Sequence, residues 1–219
     1  MRTSHLTSLA SLPSLLVAIG CAAWMPAALA QADPGVFVSP PEGTVTVYHR
    51  KSEGSYGKYD GPVKWTHGQR EWNGRKLVSF SSDFASQLMD PKTHGAVVQF
   101  NAAGQPTMSF SPELKLEWPL AAGKAWTSTH QLTTYQPPGV LSLTMTFKVE
   151  VYEDVTVPAG TYKAFKVVQT SSFGEVDQNW VVPSLGLATV KRISDRPASH
   201  PLGAGHIEGV LLSRTVPPR

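Results

Sequence analysis

Between Leu141 and Val157, apolar and polar residues alternate. Leu141, Leu143, Met145, Phe147, Val149, Val151, Val155 and Val157 are apolar. Ser142, Thr144, Thr146, Lys148, Glu150, Asp154 and Thr156 stand between them. Successive side chains point to opposite sides only in a β-strand, so the pattern specifies one long strand with one buried face. Val157-Pro158-Ala159-Gly160 follows, with Pro second and Gly fourth, which suits a type I turn. Thr161–Val168 then returns as the partner strand. The stretch dictates a sheet scaffold and carries no chemistry of its own.

Similar short runs fill the rest of the chain. Lys64–Trp72 and Arg75–Ser81 flank Asn73-Gly74, a strong hairpin signal because both residues tolerate positive φ. Thr44–Arg50, Ala96–Phe100, Pro106–Phe110, Trp126–Tyr135, Gln178–Val182, Leu187–Ile193 and Ile207–Val216 are further strand candidates separated by Pro- and Gly-rich turns. Phe84–Met89 is the only helical candidate, a turn or two stopped by Asp90-Pro91. The expected fold is all-β, with about ten to twelve strands in one antiparallel curved sheet, half-barrel, barrel or sandwich. A single domain is expected over 44–219, after an extended Pro/Gly-rich lead-in at 31–43.

Residues 1–30 read as a secretory signal peptide. Arg2 supplies the positive start, Leu6–Met25 has no charged residue, and Ala28-Leu29-Ala30 offers a cleavage site before Gln31. Pro13, Pro26 and the Ser/Thr content argue against a membrane anchor. Cleavage after Ala30 predicts a periplasmic chain of about 189 residues, enough for one substantial core. The alternative rests on Ala18-Ile19-Gly20-Cys21, which resembles a bacterial lipoprotein signal and would leave the protein tethered to a membrane through Cys21. Cys21 is the only cysteine, so no intrachain disulfide forms and stability rests on the core or on partners. Net charge is +3, or +2 once Arg2 is removed, and Lys and Arg are scattered. Nucleic acid is therefore not an expected partner.

Three blocks resemble a group of exported bacterial proteins of unknown function. They are Trp118-Pro119-Leu120 with Gly123-Lys124-Ala125-Trp126, the Val157-Pro158-Ala159-Gly160-Thr161-Tyr162 hairpin, and Trp180-Val181-Val182-Pro183 with Gly186-Leu187-Ala188 and Lys191-Arg192. The resemblance spans roughly Trp118–Arg192. It implies a periplasmic β-rich fold, of the half-barrel kind seen in lipoprotein carriers, and no known reaction.

Catalytic signatures are few. There is no Gly-x-Ser-x-Gly elbow, no Gly-rich phosphate loop and no dinucleotide fingerprint. Thiol catalysis is excluded from a chain cleaved after Ala30. His49, His67, His94, His130, His200 and His206 lack zinc-protease spacing, and although His200 and His206 share one loop they read as solvated. No metal and no cofactor is expected.

Glu153 breaks the alternation. It is either a carboxylate set in a cavity, a residue turned outward by a bulge near Tyr152, or an inward charge blunting a sheet edge. Trp65 and Trp72 are seven residues apart, on opposite faces of a regular strand, so one of them should be exposed or cover an edge.

The leading expectation is a non-enzymatic envelope binding or assembly module. It would hold an apolar, lipid-like small molecule or an envelope protein in the concave face of a curved sheet. Leu143, Met145, Phe147, Val149, Glu153, Trp65 and Trp180 are the expected binding residues, and no residue is assigned a catalytic role. A second expectation is an envelope-acting hydrolase in which Glu150, Glu153 and His130 converge. A third is a structural protein that completes its sheet with a partner strand at an uncovered edge.

Overall fold

The computed structural model describes residues 35–218. The leader, its cleavage site and Cys21 lie outside them. Twelve strands follow one another: β1 (Val45–Gly54), β2 (Tyr59–Trp72), β3 (Arg75–Ser81), β4 (Ala85–Met89), β5 (Ala96–Asn101), β6 (Pro106–Leu114), β7 (Ala125–Tyr135), β8 (Pro138–Val157), β9 (Gly160–Ser171), β10 (Val176–Val182), β11 (Leu187–Arg196) and β12 (Gly205–Thr215). Each pairs antiparallel with its neighbours in sequence, and β1 pairs with both β2 and β12. The sheet therefore closes into a twelve-strand up-and-down barrel, not a half-barrel. Among the described residues every strand has a neighbour on both sides, so strand addition by a partner finds no free edge.

The turns follow local chemistry. Asn73 and Gly74 both take positive φ, at 48° and 73°, between the paired residues Trp72 and Arg75. That is the backbone a two-residue hairpin needs to match strand twist. Tyr135 pairs with Pro138 across Gln136-Pro137, so β8 starts three residues ahead of Leu141 and runs for 20 residues. Leu141, the first member of the alternation, is 44% exposed.

Phe84–Met89 is not helical. Ala85–Met89 is strand β4, bonded to β3 on one side and β5 on the other. A segment this short cannot repay helix nucleation, whereas two flanking strands satisfy its backbone at once.

The long strand changes its buried face midway. Its pairing with β9 shifts by one residue between Val149 and Val151. Before the shift Val149 faces Val167; after it Glu153 faces Ala164 and Val155 faces Tyr162. Odd and even residues of β9 point to opposite sides, so the bulge moves the odd residues of β8 from one face to the other. Leu143, Met145, Phe147 and Val149 are buried on the first face, Val155 and Val157 on the second. Val151, an apolar member of the alternation, is turned out to 38% exposure.

Both faces are covered here. Ala164 and Phe165 are consecutive and buried, as are Trp180, Val181 and Val182. On the first face the cover is the 115–124 segment between β6 and β7: Gly123 N–H donates to Val149 O and Val149 N–H to Lys124 O, each at 2.8 Å. The lead-in is pinned beside it, with Leu120 N–H donating to Gly35 O and Val38 N–H to Pro183 O. Gly186 ends the short 3₁₀ turn at Pro183–Leu185 with φ of 63°, and a Cβ there would meet Val38 O at 2.3 Å. Only glycine fits that approach.

Candidate functional site

The expected binding residues do not line one open groove. Leu143, Met145 and Phe147 pack with Ala96, Phe110 and Leu132, while Val149 packs with Leu120, Phe165, Val167 and Val181. Trp126 and Leu116 touch both groups and make one continuous apolar layer on that face of β8. The Trp126 and Phe147 rings stack at 4.8 Å and 6°.

Glu153 and Trp180 belong to the opposite face. The Trp180 indole Nε1–H donates to Glu153 Oε1 at 2.7 Å, and the Lys191 and Lys166 ammoniums lie 4.7 and 5.5 Å from its ring centre. The bulge is present, but it carries Glu153 round together with Val155 and Val157, where it serves as the acceptor for a buried indole. Trp65 is elsewhere again, stacked on Phe80 at 4.5 Å. Trp72 meets Phe100 edge-on at 5.1 Å on the other side of β2. Each tryptophan has an aromatic partner, and with the ring closed neither covers an edge.

The Phe147 layer reaches the surface at a cleft of about 400 Å³ lined by Thr93, Lys115, Leu116, Glu117, Trp118 and Lys124. Leu116 and Trp118 form its apolar side and pack down onto the Val149 group. Phe37 of the lead-in braces Trp118 from behind, with ring centres 4.9 Å apart. Lys124 Nζ donates to the Glu117 and Pro119 carbonyls, which fixes the segment's curvature. The indole Nε1–H groups of Trp118 and Trp126 are buried without a partner. A cleft with Leu116 and Trp118 on one side and Lys115, Glu117 and Lys124 at its rim suits an amphiphile with a polar end.

A larger cleft, about 460 Å³, is lined by Lys51, Ser52, Glu53, Lys58, Tyr59, Asp60, His206 and Glu208. Its charges neutralise one another locally. His206 Nδ1 lies 2.7 Å from Asp195 and its Nε2 3.2 Å from Glu208, and His49 lies 3.0 Å from Asp60. The Asp195 contact first, and Glu208 after it, hold His206 above its ordinary pKa.

The hydrolase residues are dispersed. Glu150 is 2.8 Å from Lys166, whose hydrogen bond holds its carboxyl below the usual range. Glu153 is engaged with Trp180. His130 is buried, with Nε2 2.7 Å from Ser128 Oγ and Nδ1 2.8 Å from Pro112 O. His200 lies 3.5 Å from Glu175, apart from the His206 pairs. Among the described residues no three His, Cys, Asp or Glu side chains group as metal ligands.

A polar network around Glu175 has no motif in the sequence. Its Oε1 accepts from the Tyr56 hydroxyl at 2.6 Å and from Ser194 Oγ at 3.2 Å, and its Oε2 accepts from Arg196 Nε at 3.1 Å. The Arg196 guanidinium lies 3.8 Å from the Tyr56 ring centre. Alongside, Arg192 makes a two-pronged pair with Asp177 at 2.9 and 2.8 Å. Burial, then the hydrogen bond to anionic Glu175, push the Tyr56 phenol up to about 12. These members are spread from 56 to 200 in the chain and form no motif.

No protein-family model matches this chain, and no curated protein matches it either. Among solved structures it is similar to a candidate lipoprotein of Parabacteroides distasonis, at 13% identity and a TM-score of 0.40, covering 82% of this chain and 99% of that one. A candidate exported protein with a YmcC-like fold from Bacteroides fragilis gives 12% identity and a TM-score of 0.43, with the same coverages of 82% and 99%. The hypothetical lipoprotein YmcC of Escherichia coli gives 15% identity and 0.41, over 79% of this chain and 85% of that one. At this level of likeness neither a role nor a ligand transfers to the present chain.

Proposed function

We propose that this chain is a non-enzymatic binding module of the bacterial envelope, which takes an apolar, lipid-like ligand at the cleft beside the 115–124 segment. The observation that carries this reading is the continuity of the apolar layer. Leu116 and Trp118 open a cleft of about 400 Å³ at the surface, and beneath them Trp126, Phe147 and Val149 extend the same layer along β8. Lys115 and Lys124 at the rim suit a negatively charged end, and the apolar wall suits a chain. Among the described residues the polar network and the dispersed carboxylates bring no nucleophile, base and open pocket together, and this supports a recognition role.

The test is quenching of tryptophan fluorescence by a brominated long-chain fatty acid added to the full-length mature protein. Saturable quenching is expected, with affinity reduced at least about tenfold in Leu116→Glu, since a buried charge replaces an apolar contact. Quenching that stays linear and unsaturated, or that is unaffected by Leu116→Glu, overturns the proposal. The export reading has its own check in the intact mass of the protein taken from its native envelope. A mass fitting cleavage after Ala30 is expected, and a chain starting at lipidated Cys21 would replace the soluble module with a tethered one.

A further inference from the structure

Four buried polar atoms on adjacent strands have no hydrogen-bond partner: Thr44 Oγ1, Thr46 Oγ1, His67 Nδ1 and Arg214 Nε. Thr44 and Thr46 are 0% and 1% exposed and His67 is 8% exposed. The register brings them together. Thr46 pairs with Arg214 of β12 on one side and with Trp65 of β2 on the other. Two residues earlier, just ahead of β1, Gly43 N–H donates to His67 O and His67 N–H donates to Thr44 O. Directly paired residues share a face with Cβ atoms about 4.5–5.5 Å apart, and residues two apart on a strand share it too. Thr44, Thr46, Trp65, His67 and Arg214 therefore occupy one patch of one face.

The patch is walled and charged. The Phe80 ring lies 4.5 Å from Trp65 and 4.7 Å from His67, centre to centre. Tyr48, next along the same face of β1, donates its hydroxyl to Thr189 O at 3.0 Å and presents its oxygen beside the Thr46 hydroxyl. Arg214 Nη2 donates to Leu185 O at 2.9 Å, which anchors the guanidinium. Among the described residues no carboxylate forms an ion pair with Arg214, whereas Arg75, Arg192 and Arg196 each have one. Burial, and then the charge of Arg214, drive the His67 imidazole down to about 4, so His67 is neutral at neutral pH and adds no second positive charge.

The atom types settle the complement. Arg214 Nε–H can only donate; both hydroxyls can donate; His67 Nδ1–H donates in the matching tautomer. The half-buried Arg214 guanidinium favours an opposite charge beside it, and its buried Nε–H and the other buried donors need acceptors. We infer that Arg214, Thr44, Thr46 and His67 form an internal site for a small monoanion, a halide or a carboxylate. A carboxylate could arrive free or as the head of a longer ligand. The site is separate from the cleft of the 115–124 segment and does not depend on it.

Bromide and formate serve as probes, titrated into the full-length mature protein at constant ionic strength against sulfate. A saturable rise in melting temperature is expected with both. His67 titration followed by NMR is expected to move upward when the site is filled, because an anion beside an imidazole favours its charged form. Arg214→Met and the isosteric Thr46→Val should each weaken bromide at least about tenfold, the second without changing the site's shape. Competition by decanoate assigns the site to a ligand's carboxylate head, and bromide binding without such competition assigns it to a free anion; both support it. The absence of saturation, or saturation that persists in both variants, overturns it, the four atoms then being served by water alone.

Discussion

Glu175 shows how much one side chain can coordinate in this molecule. It sits just ahead of β10 and gathers Tyr56 from the β1–β2 turn, Ser194 and Arg196 from β11 and His200 from the last loop. Burial disfavours its charge, but the hydrogen bond from Tyr56 and the guanidiniums of Arg196 and Arg192 outweigh that and hold its pKa below the ordinary 4.5. A carboxylate whose pKa falls on folding stabilises the fold above its unfolded pKa and loses that contribution as pH falls through its folded value. The contribution is therefore complete at neutral pH and fades below about 4.5. Glu175→Gln removes the acceptor charge from a half-buried network and is expected to cost about 1–3 kcal/mol at pH 7. Melting curves from neutral to acid pH check both points: the wild type should converge on the variant as Glu175 is protonated. No local signal marks Glu175, because its partners come from three separate segments and only the closed register assembles them.

Among the elements, β8 carries the most information and also shows where sequence patterning stops. Its alternation is legible because period two has one structural meaning, and the Pro158-Ala159 turn and the Asn73-Gly74 turn are legible because few residues tolerate those backbones. The bulge is not legible in the same way. Leu143 to Val149 and Val155 to Val157 share odd numbering, so the sequence reads as one continuous buried stripe; the trace of the change is the disturbed run Glu150-Val151-Tyr152-Glu153. The inserted residue flips the face, and with it the partners of Glu153 and Trp180. The 115–124 segment was equally opaque, since Trp118-Pro119-Leu120 reads as turn and core, and its role in roofing β8 depends on the bonds to Val149. Deleting Val151 removes the extra residue but leaves Val149 opposite Val167 and Val155 opposite Tyr162, so Val155 and Val157 keep their face. The expected outcome is a retained cooperative thermal transition, and Val151→Thr, at an exposed position, should change stability by less than about 0.5 kcal/mol. Circular dichroism melts of the two variants distinguish a register device from a dispensable irregularity.

At the scale of the whole molecule, closure is what holds twelve strands without a disulfide among the described residues. A sheet of this length left open would present two long rows of unpaired backbone groups. Pairing β1 with β12 removes both. Ending the chain at Gly203 deletes β12 and exposes β1 and β11 together, so the truncated protein should form larger species than the full chain in size-exclusion chromatography with light scattering. A truncated chain that elutes as a compact monomer would show that the ring-closing strand is dispensable.

The pairing that closes the ring also joins the two most distant strands of the sequence. Val45 meets Thr215 and Gly54 meets Gly205. Every other junction is a neighbour-to-neighbour hairpin that can form as soon as its two strands exist, but this one must gather the whole intervening chain first. As the polypeptide emerges from its N-terminus, β1 is among the first strands made and the last to be fully paired. Until Gly205–Thr215 arrives, the growing protein is an unfinished cylinder with one seam open, and its most aggregation-prone moment falls just before its last strand is delivered.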